Sequence, residues 1–276
     1  MKYALLLCAA ALRAADPDPS TLENKVLIGY QGWFTCPSDG SGRWTHWSRG
    51  VPTPATLTVD LYPDVTELDA DERCEIPGMT IAGKPAYLFS SRNPKTVARH
   101  FRWMKQYGLD GVLVQRFVGE IPRKHADGDV VLKNIMNAAR ESGRTFAIEY
   151  DISGGNPDTF AQTLKDDWAY LVDDLKITNH PNYQRHNGKP VLSIWGMGLN
   201  DGAAHPPADP QTARDFDRVV QTPRHLHRRH SRPLGNPHRR CAPRSCLGRR
   251  LLRHGCRPAL DRRPLCHLGT CRSLEG

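Results

Sequence analysis

The chain has 276 residues and a net charge of +9, enough length to bury a substantial core in one large domain or two small ones. The charge is unevenly placed: residues 222–276 hold 14 Arg, no Lys and only Asp261 and Glu275 as acids, a balance of +12 that leaves the other 221 residues at −3. The body is therefore mildly acidic, which argues against nucleic acid as its partner, and no segment is long and apolar enough to be a permanent membrane anchor.

At the N-terminus, Lys2, an apolar run from Tyr3 to Leu12 and small residues after it have the pattern of a short secretory signal over residues 1–15, cleaved near Ala11 to Ala15. The expected location is secreted or periplasmic. KVLIGYQGWF then reads as a buried strand running into a loop. Residues from about Thr35 to Pro85 are rich in Pro, Gly, Asp and Trp and read as long loops, with one strand expected at TLTVDLY. In an oxidising compartment Cys36 and Cys74 could tie two of these loops together; two free buried thiols are the alternative.

YLFSS reads as another strand. NPKTVARHFRWMKQYG follows as an amphipathic helix, with Pro94 near its start, Val97, Phe101, Met104 and Tyr107 on one side, and Gly108 as its stop. The rhythm then repeats: GVLVQRF strand, DVVLKNIMNAARESG helix, TFAIEYD strand, DTFAQTLKDDWAYLVDDL helix, KPVLSIWG strand after the turn HNG, and PQTARDFDRVVQ helix. Such alternation implies βαβ units and a parallel sheet.

No Gly-rich nucleotide fingerprint follows the first strand, so a dinucleotide-binding fold loses its best support. Several strands instead end in polar and aromatic residues: Tyr30, Gln31 and Trp33; Gln115 and Arg116; Glu149 and Asp151; Trp195. A (β/α)8 barrel places such residues around its active-site mouth. The fold class is therefore α/β, a TIM-type (β/α)8 barrel over residues 25–221, incomplete because only about five βα units can be counted. An open partial barrel exposes sheet edge, so the chain is expected to be unstable or inactive.

From Thr222 onward there is no Val, Ile, Met, Phe, Tyr or Trp. Without β-branched and aromatic residues this segment cannot build strands, and it lacks the apolar bulk to offset its ordering entropy. Three readings compete for it. A nucleic-acid-binding tail would use the arginines but lacks aromatic platforms for bases. A zinc module would use the histidines and the five cysteines, but none of these forms a C-x-x-C pair. Translation of a GC-rich gene in a shifted frame accounts for the whole composition.

In TFAIEYD, side-chain alternation sends Phe146, Ile148 and Tyr150 one way and Ala147, Glu149 and Asp151 the other. The two carboxylates would then face the barrel mouth together. Paired carboxylates are the equipment of glycoside hydrolysis, one protonating the leaving oxygen and the other attacking or stabilising the anomeric centre. The alternative for Glu149 is an internal ion pair, for example with Arg116.

Trp33, Trp44, His46 and Trp47 cluster in the first long loop and suit stacking on sugar faces; aromatic packing that pins the loop is the competing reading. Gln115 and Arg116 would hydrogen-bond sugar hydroxyls or scaffold the carboxylates. The histidines of the body show no H-x-H or H-x-x-x-H spacing, so no metal site is expected.

GYQGWF, THWSRG, DLYPD, LFSSRNPKTVARHFRWMKQYGLDGVLVQRF, YDISG and GKPVLSIWG together resemble the bacterial and fungal proteins grouped with glycoside hydrolase families 71 and 99, some called xylosidase/arabinosidase. The resemblance spans roughly Lys25 to Val220. It implies a (β/α)8 barrel, secretion and hydrolysis of glycosidic bonds in polysaccharide or glycan. Characterised family 99 enzymes carry two catalytic glutamates in a strand-end E-P-x-E. Here the strand end is EYDISG: Glu149 matches the first glutamate, Ile152 stands at the second, and Asp151 becomes the leading catalytic candidate.

The catalytic candidates are thus Asp151 and Glu149, and the sugar-binding candidates Tyr30, Gln31, Trp33, His46, Trp47, Asp60 (in DLYPD), Gln115, Arg116 and Trp195. The protein is expected to be a monomer whose partner is carbohydrate, with no cofactor, no nucleic acid and no membrane beyond the cleaved signal. A non-catalytic carbohydrate-binding protein using the same aromatic mouth is the rival.

Overall fold

The computed structural model describes residues 15–199, 206 and 210–221. The expected signal, but for its last residue, and the arginine-rich tail lie outside the described residues. By internal contacts the chain divides into Met1–Leu226 and His227–Gly276, and every described residue belongs to the first. Among the described residues no helix is long and apolar enough to cross a membrane.

In chain order the elements are β1 (Leu27–Tyr30), β2 (Arg73–Ile81), β3 (Lys84–Phe89), α1 (Pro94–Gln106), β4 (Gly111–Phe117), α2 (Ile121–Ser142), β5 (Thr145–Asp151), α3 (Phe160–Asp173), β6 (Arg185–His186), β7 (Lys189–Pro190), β8 (Leu192–Trp195) and α4 (Pro210–Gln221). Four strands form one parallel sheet in the order β1-β4-β5-β8. Each new strand joins the same side as the chain advances. A doubly wound sheet reverses direction at a switch point; a barrel sheet adds strands in sequence, with a helix after each. The architecture is an incomplete (β/α)8 barrel.

Local chemistry explains where the elements start and stop. Asn93 caps α1 by accepting from the Lys95 amide at 2.9 Å, with Pro94 as the first helical residue. Helix α2 ends on Gly143 in the left-handed region, φ 73°. It starts at Ile121, ahead of the expected Asp129. Gly128 lies within it because a Cβ there would stand 3.2 Å from the Arg116 guanidinium, so the residue that reads as a helix breaker serves a close approach.

The sheet alternates cleanly. Val112, Val114, Phe146, Ile148 and Tyr150 face the helices and join Val97 and Phe101 of α1, Ile135 of α2, and Leu164 and Trp168 of α3 in the main core. Burial of such side chains stabilises by about 1.5–3 kcal/mol each. The opposite face carries Leu113, Gln115 and Phe117 of β4, Ala147, Glu149 and Asp151 of β5, and Ser193 and Trp195 of β8, related across the strands by their register.

The region expected to be loops contains a hairpin. β2 and β3 pair antiparallel, interrupted between Glu75 and Thr80 around Pro77 and Gly78. They turn through Ala82 and Gly83, both at positive φ, 50° and 76°. Ala is a poor signal for such a turn, which hides the hairpin in the sequence. YLFSS belongs to this hairpin, so the parallel sheet holds four strands among the described residues. TLTVDLY is not a strand; it makes only an isolated bridge between Leu57 and Ser48. The HNG turn does join a small ladder, β6 to β7, through Asn187 and Gly188.

Cys36 and Cys74 form a disulfide across 38 residues, fastening the first long loop to β2. Trp47, Ile76, Ala86 and Leu88 make a second core beneath that loop, with Phe34 and Trp44 against it.

Candidate active site

The inner face of β5 presents Glu149 and Asp151 two residues apart, and neighbouring strands hold each one. Ser193 Oγ on β8 donates to Glu149 Oε2 at 2.9 Å, and Gln115 Nε2 on β4 donates to Asp151 Oδ2 at 3.2 Å. The Ser153 amide, just past the strand, donates to Asp151 Oδ1 at 2.8 Å. Both oxygens of Asp151 therefore accept N–H bonds. Trp195 lies beside Asp151 in register, at the C-terminal end of β8, and is 52% exposed.

A cavity adjoins this face, bordered by Trp33, His46, Gln115, Phe117 and Glu120. Trp33 stacks on His46 at 4.7 Å between ring centroids and on Phe117 at 4.8 Å. His46 has φ 60°, a backbone conformation uncommon for residues with a side chain and often kept where function needs it. Its Nε2 is buried with no hydrogen bond, 3.9 Å from Glu120 Oε1. Asp127, on the cavity's far wall, is clamped by Arg92 at 2.6 Å and Arg43 at 2.5 Å.

Other sequence candidates sit elsewhere. Tyr30 and Arg116 have the parity of the helix-facing residues. The Tyr30 hydroxyl lies 2.9 Å from His100 Nδ1 on α1. Burial lowers the His100 pKa to about 4 and pushes that of Tyr30 well up, so the phenol is the donor and the neutral imidazole the acceptor. Arg116 borders the cavity, but its guanidinium meets Asp167 of α3 at 2.6 and 3.0 Å and Asp129 of α2 at 3.6 Å. Tyr150 OH donates to the same Asp167 at 2.6 Å. Burial opposes the charge of Arg116, and the Asp167 carboxylate outweighs it, so its pKa is raised.

The ion pair considered between Glu149 and Arg116 is therefore replaced by Glu149–Ser193 on one face and Arg116–Asp167 on the other. Trp47 is buried, donates Nε1 to the Phe89 carbonyl at 2.8 Å, and packs 4.1 Å from the Phe34 ring. It pins the loop. Gln31 is exposed just beyond β1, and Asp60 is exposed in its loop, outside the residues that border the cavity.

Ser193 and Glu120 join the site without having been expected there. For Ser193 a signal existed, since alternation in LSIW puts it on the side of Trp195. Among the described residues, Asp69, Asp71 and Glu72 group closely enough to hold a metal ion. They are instead met by Lys95, at 2.6 and 2.9 Å from Asp69 and Asp71, and by Arg99, at 3.1 and 2.5 Å from Asp69 and Glu72.

No family model matches this chain, and no curated protein matches it. Among solved structures it is similar to a GH99 endo-alpha-mannosidase from Bacteroides thetaiotaomicron bound to BIS-TRIS-propane, with 19% identity and TM-score 0.43, covering 63% of this chain and 42% of that one. A second structure of the GH99 endo-alpha-mannosidase from the same organism gives 18%, 0.44, 63% and 45% in the same order. A glycoside hydrolase-like protein gives 17%, 0.36, 49% and 41%. The chain spans less than half the length of these proteins.

Proposed function

We propose that this chain is a secreted glycoside hydrolase-like protein acting on polysaccharide or glycan, with Asp151 and Glu149 as its reacting carboxylates. The observation that carries the reading is their shared placement on the inner face of β5, one held from β4 and the other from β8. In a barrel this is the end of the sheet where chemistry is built. Asp151, accepting at both oxygens, is set to attack or stabilise the anomeric centre. Glu149, with Ser193 on one oxygen, is set to give its proton to the leaving glycosidic oxygen. Trp195 offers an exposed face beside them for a sugar ring.

The tail after Gln221 is read as a shifted frame, and resequencing the codons for Val219 to Pro223 decides it: an intact, transcribed frame there removes that reading.

The functional test is release of reducing sugar from mannan, xylan and arabinan by the full chain and by Asp151→Asn and Glu149→Gln. Any turnover that the incomplete barrel retains should fall about 100-fold or more in each variant. Turnover unchanged in both would refute the assignment. Sugar binding without turnover, in wild type as in the variants, would make the protein a carbohydrate binder.

A further inference from the structure

We propose that a groove along the last turn of α1 binds an organic cation, an ammonium group carried on an uncharged body such as an amino sugar or a quaternary amine. Phe89, His100, Trp103 and Tyr107 border the groove together with Asp64 and Glu67. It lies on the helix side of the sheet, where His100 receives the Tyr30 hydroxyl at 2.9 Å, and shares no residue with the cavity beside Asp151. The inference stands independently of the carbohydrate reading.

The groove holds negative charge that the fold leaves unneutralised. Residues 64–72 carry five acids. Lys95 and Arg99 pair with three of them, Asp69, Asp71 and Glu72. The other two bond only neutral donors among the described residues. Asp64 accepts from the Thr66 amide and hydroxyl at 2.9 and 2.7 Å, and Glu67 accepts from Trp103 Nε1 at 2.9 Å. Arg99 senses the Glu67 charge, but its short bonds go to Asp69 and Glu72. His100 adds no positive charge, since burial lowers its pKa to about 4. Tyr107 closes α1 as its C-cap, so the negative end of the helix dipole adds to the two carboxylates.

Aromatic rings complete the match. His100 stands 5.2 Å from Phe89 and 5.5 Å from Trp103 between ring centroids, a continuous wall. Tyr107, one turn beyond Trp103, is 72% exposed. Ring faces attract cations, and the bond from Trp103 fixes Glu67 at the edge of that wall. An anion would be repelled by both carboxylates. A neutral apolar ligand would take them out of water with no compensating partner. An organic cation meets the rings and the carboxylates at once.

The test is calorimetric titration of the full chain with two cations and their uncharged counterparts: choline with 3,3-dimethylbutan-1-ol, and glucosamine with glucose. At least one cation should bind about tenfold more tightly than its neutral counterpart, and 0.5 M salt should weaken it (about 0.5 M brings the screening length down to a few ångströms). Tighter glucosamine assigns the groove to an amino sugar, and tighter choline to a quaternary amine. Asp64→Asn and Glu67→Gln keep shape and hydrogen-bonding capacity while removing charge, and each should cost about threefold. Tyr107→Ala, at an exposed position, should cost about threefold as well. Neutral counterparts binding as tightly as the cations would overturn the proposal. So would wild-type affinity in the Asp64→Asn/Glu67→Gln double variant, or no binding of either cation.

Discussion

The two faces of one sheet treat their charges in opposite ways. Toward the helices, Arg116, Asp167, Asp129, Tyr150 and Tyr170 form a connected set: Arg116 meets both aspartates, and each aspartate also accepts from a tyrosine. Toward the barrel interior, Glu149 and Asp151 are held by a serine, a glutamine and a backbone amide, and among the described residues no cation pairs with either. Buried charge closed by opposite charge serves architecture. Carboxylates held only by neutral donors remain available for chemistry.

The largest expected effect attacks the helix-facing network. Asp167→Ala takes from buried Arg116 its two short carboxylate bonds and leaves it the 3.6 Å contact to Asp129, and loss of one partner of a buried pair typically costs about 3–5 kcal/mol. Urea unfolding should register this as an early transition, and a shift under 1 kcal/mol would mean the network is dispensable.

Next comes the loop that carries Trp33 and His46. Cys74→Ser, or reduction, removes a cross-link over 38 residues and should destabilise by about 3–4 kcal/mol. Sugar affinity should weaken as well, because the aromatic side of the cavity then loses its covalent tether and keeps only packing and non-covalent bonds such as Trp47 to the Phe89 carbonyl.

A third prediction uses pH. His100 is neutral in the fold with its pKa lowered to about 4, below the unfolded value, so the unfolded chain binds the extra proton between about pH 6.5 and 4. Its contribution is full above that window and lost as pH falls through it, up to about 3 kcal/mol. Unfolding measured at pH 7 and pH 5 should show the loss, and His100→Gln should flatten it. The smallest effect belongs to Trp195→Ala, which should move stability by no more than about 0.5 kcal/mol while reducing sugar affinity.

Much of this contrast was legible in single strands. TFAIEYD announces which residues share a face, and the structure keeps Glu149 and Asp151 opposite Tyr150. The same rule applied to GVLVQRF separates Gln115 from Arg116, and applied to LIGY it sends Tyr30 with Ile28 toward the helices. Grouping all strand-end polar residues as mouth residues overrode that parity. Trp47 could not be placed, because its partners Phe89 and Ile76 come from a hairpin whose turn is Ala-Gly and whose first strand holds Pro77. The Asp167 partner of Arg116 lies 51 residues away on α3, a contact that no local pattern encodes.

The central claim is that the inner carboxylates carry function and the outer ones carry the fold. It is tested most directly by measuring unfolding free energy and glycoside turnover side by side for Asp151→Asn and Asp167→Asn. The account predicts that Asp151→Asn loses about 100-fold or more in turnover with stability within about 1 kcal/mol of wild type, and that Asp167→Asn loses stability first. Turnover retained in Asp151→Asn, or a collapse of stability there while Asp167→Asn stays as stable as wild type, would contradict it.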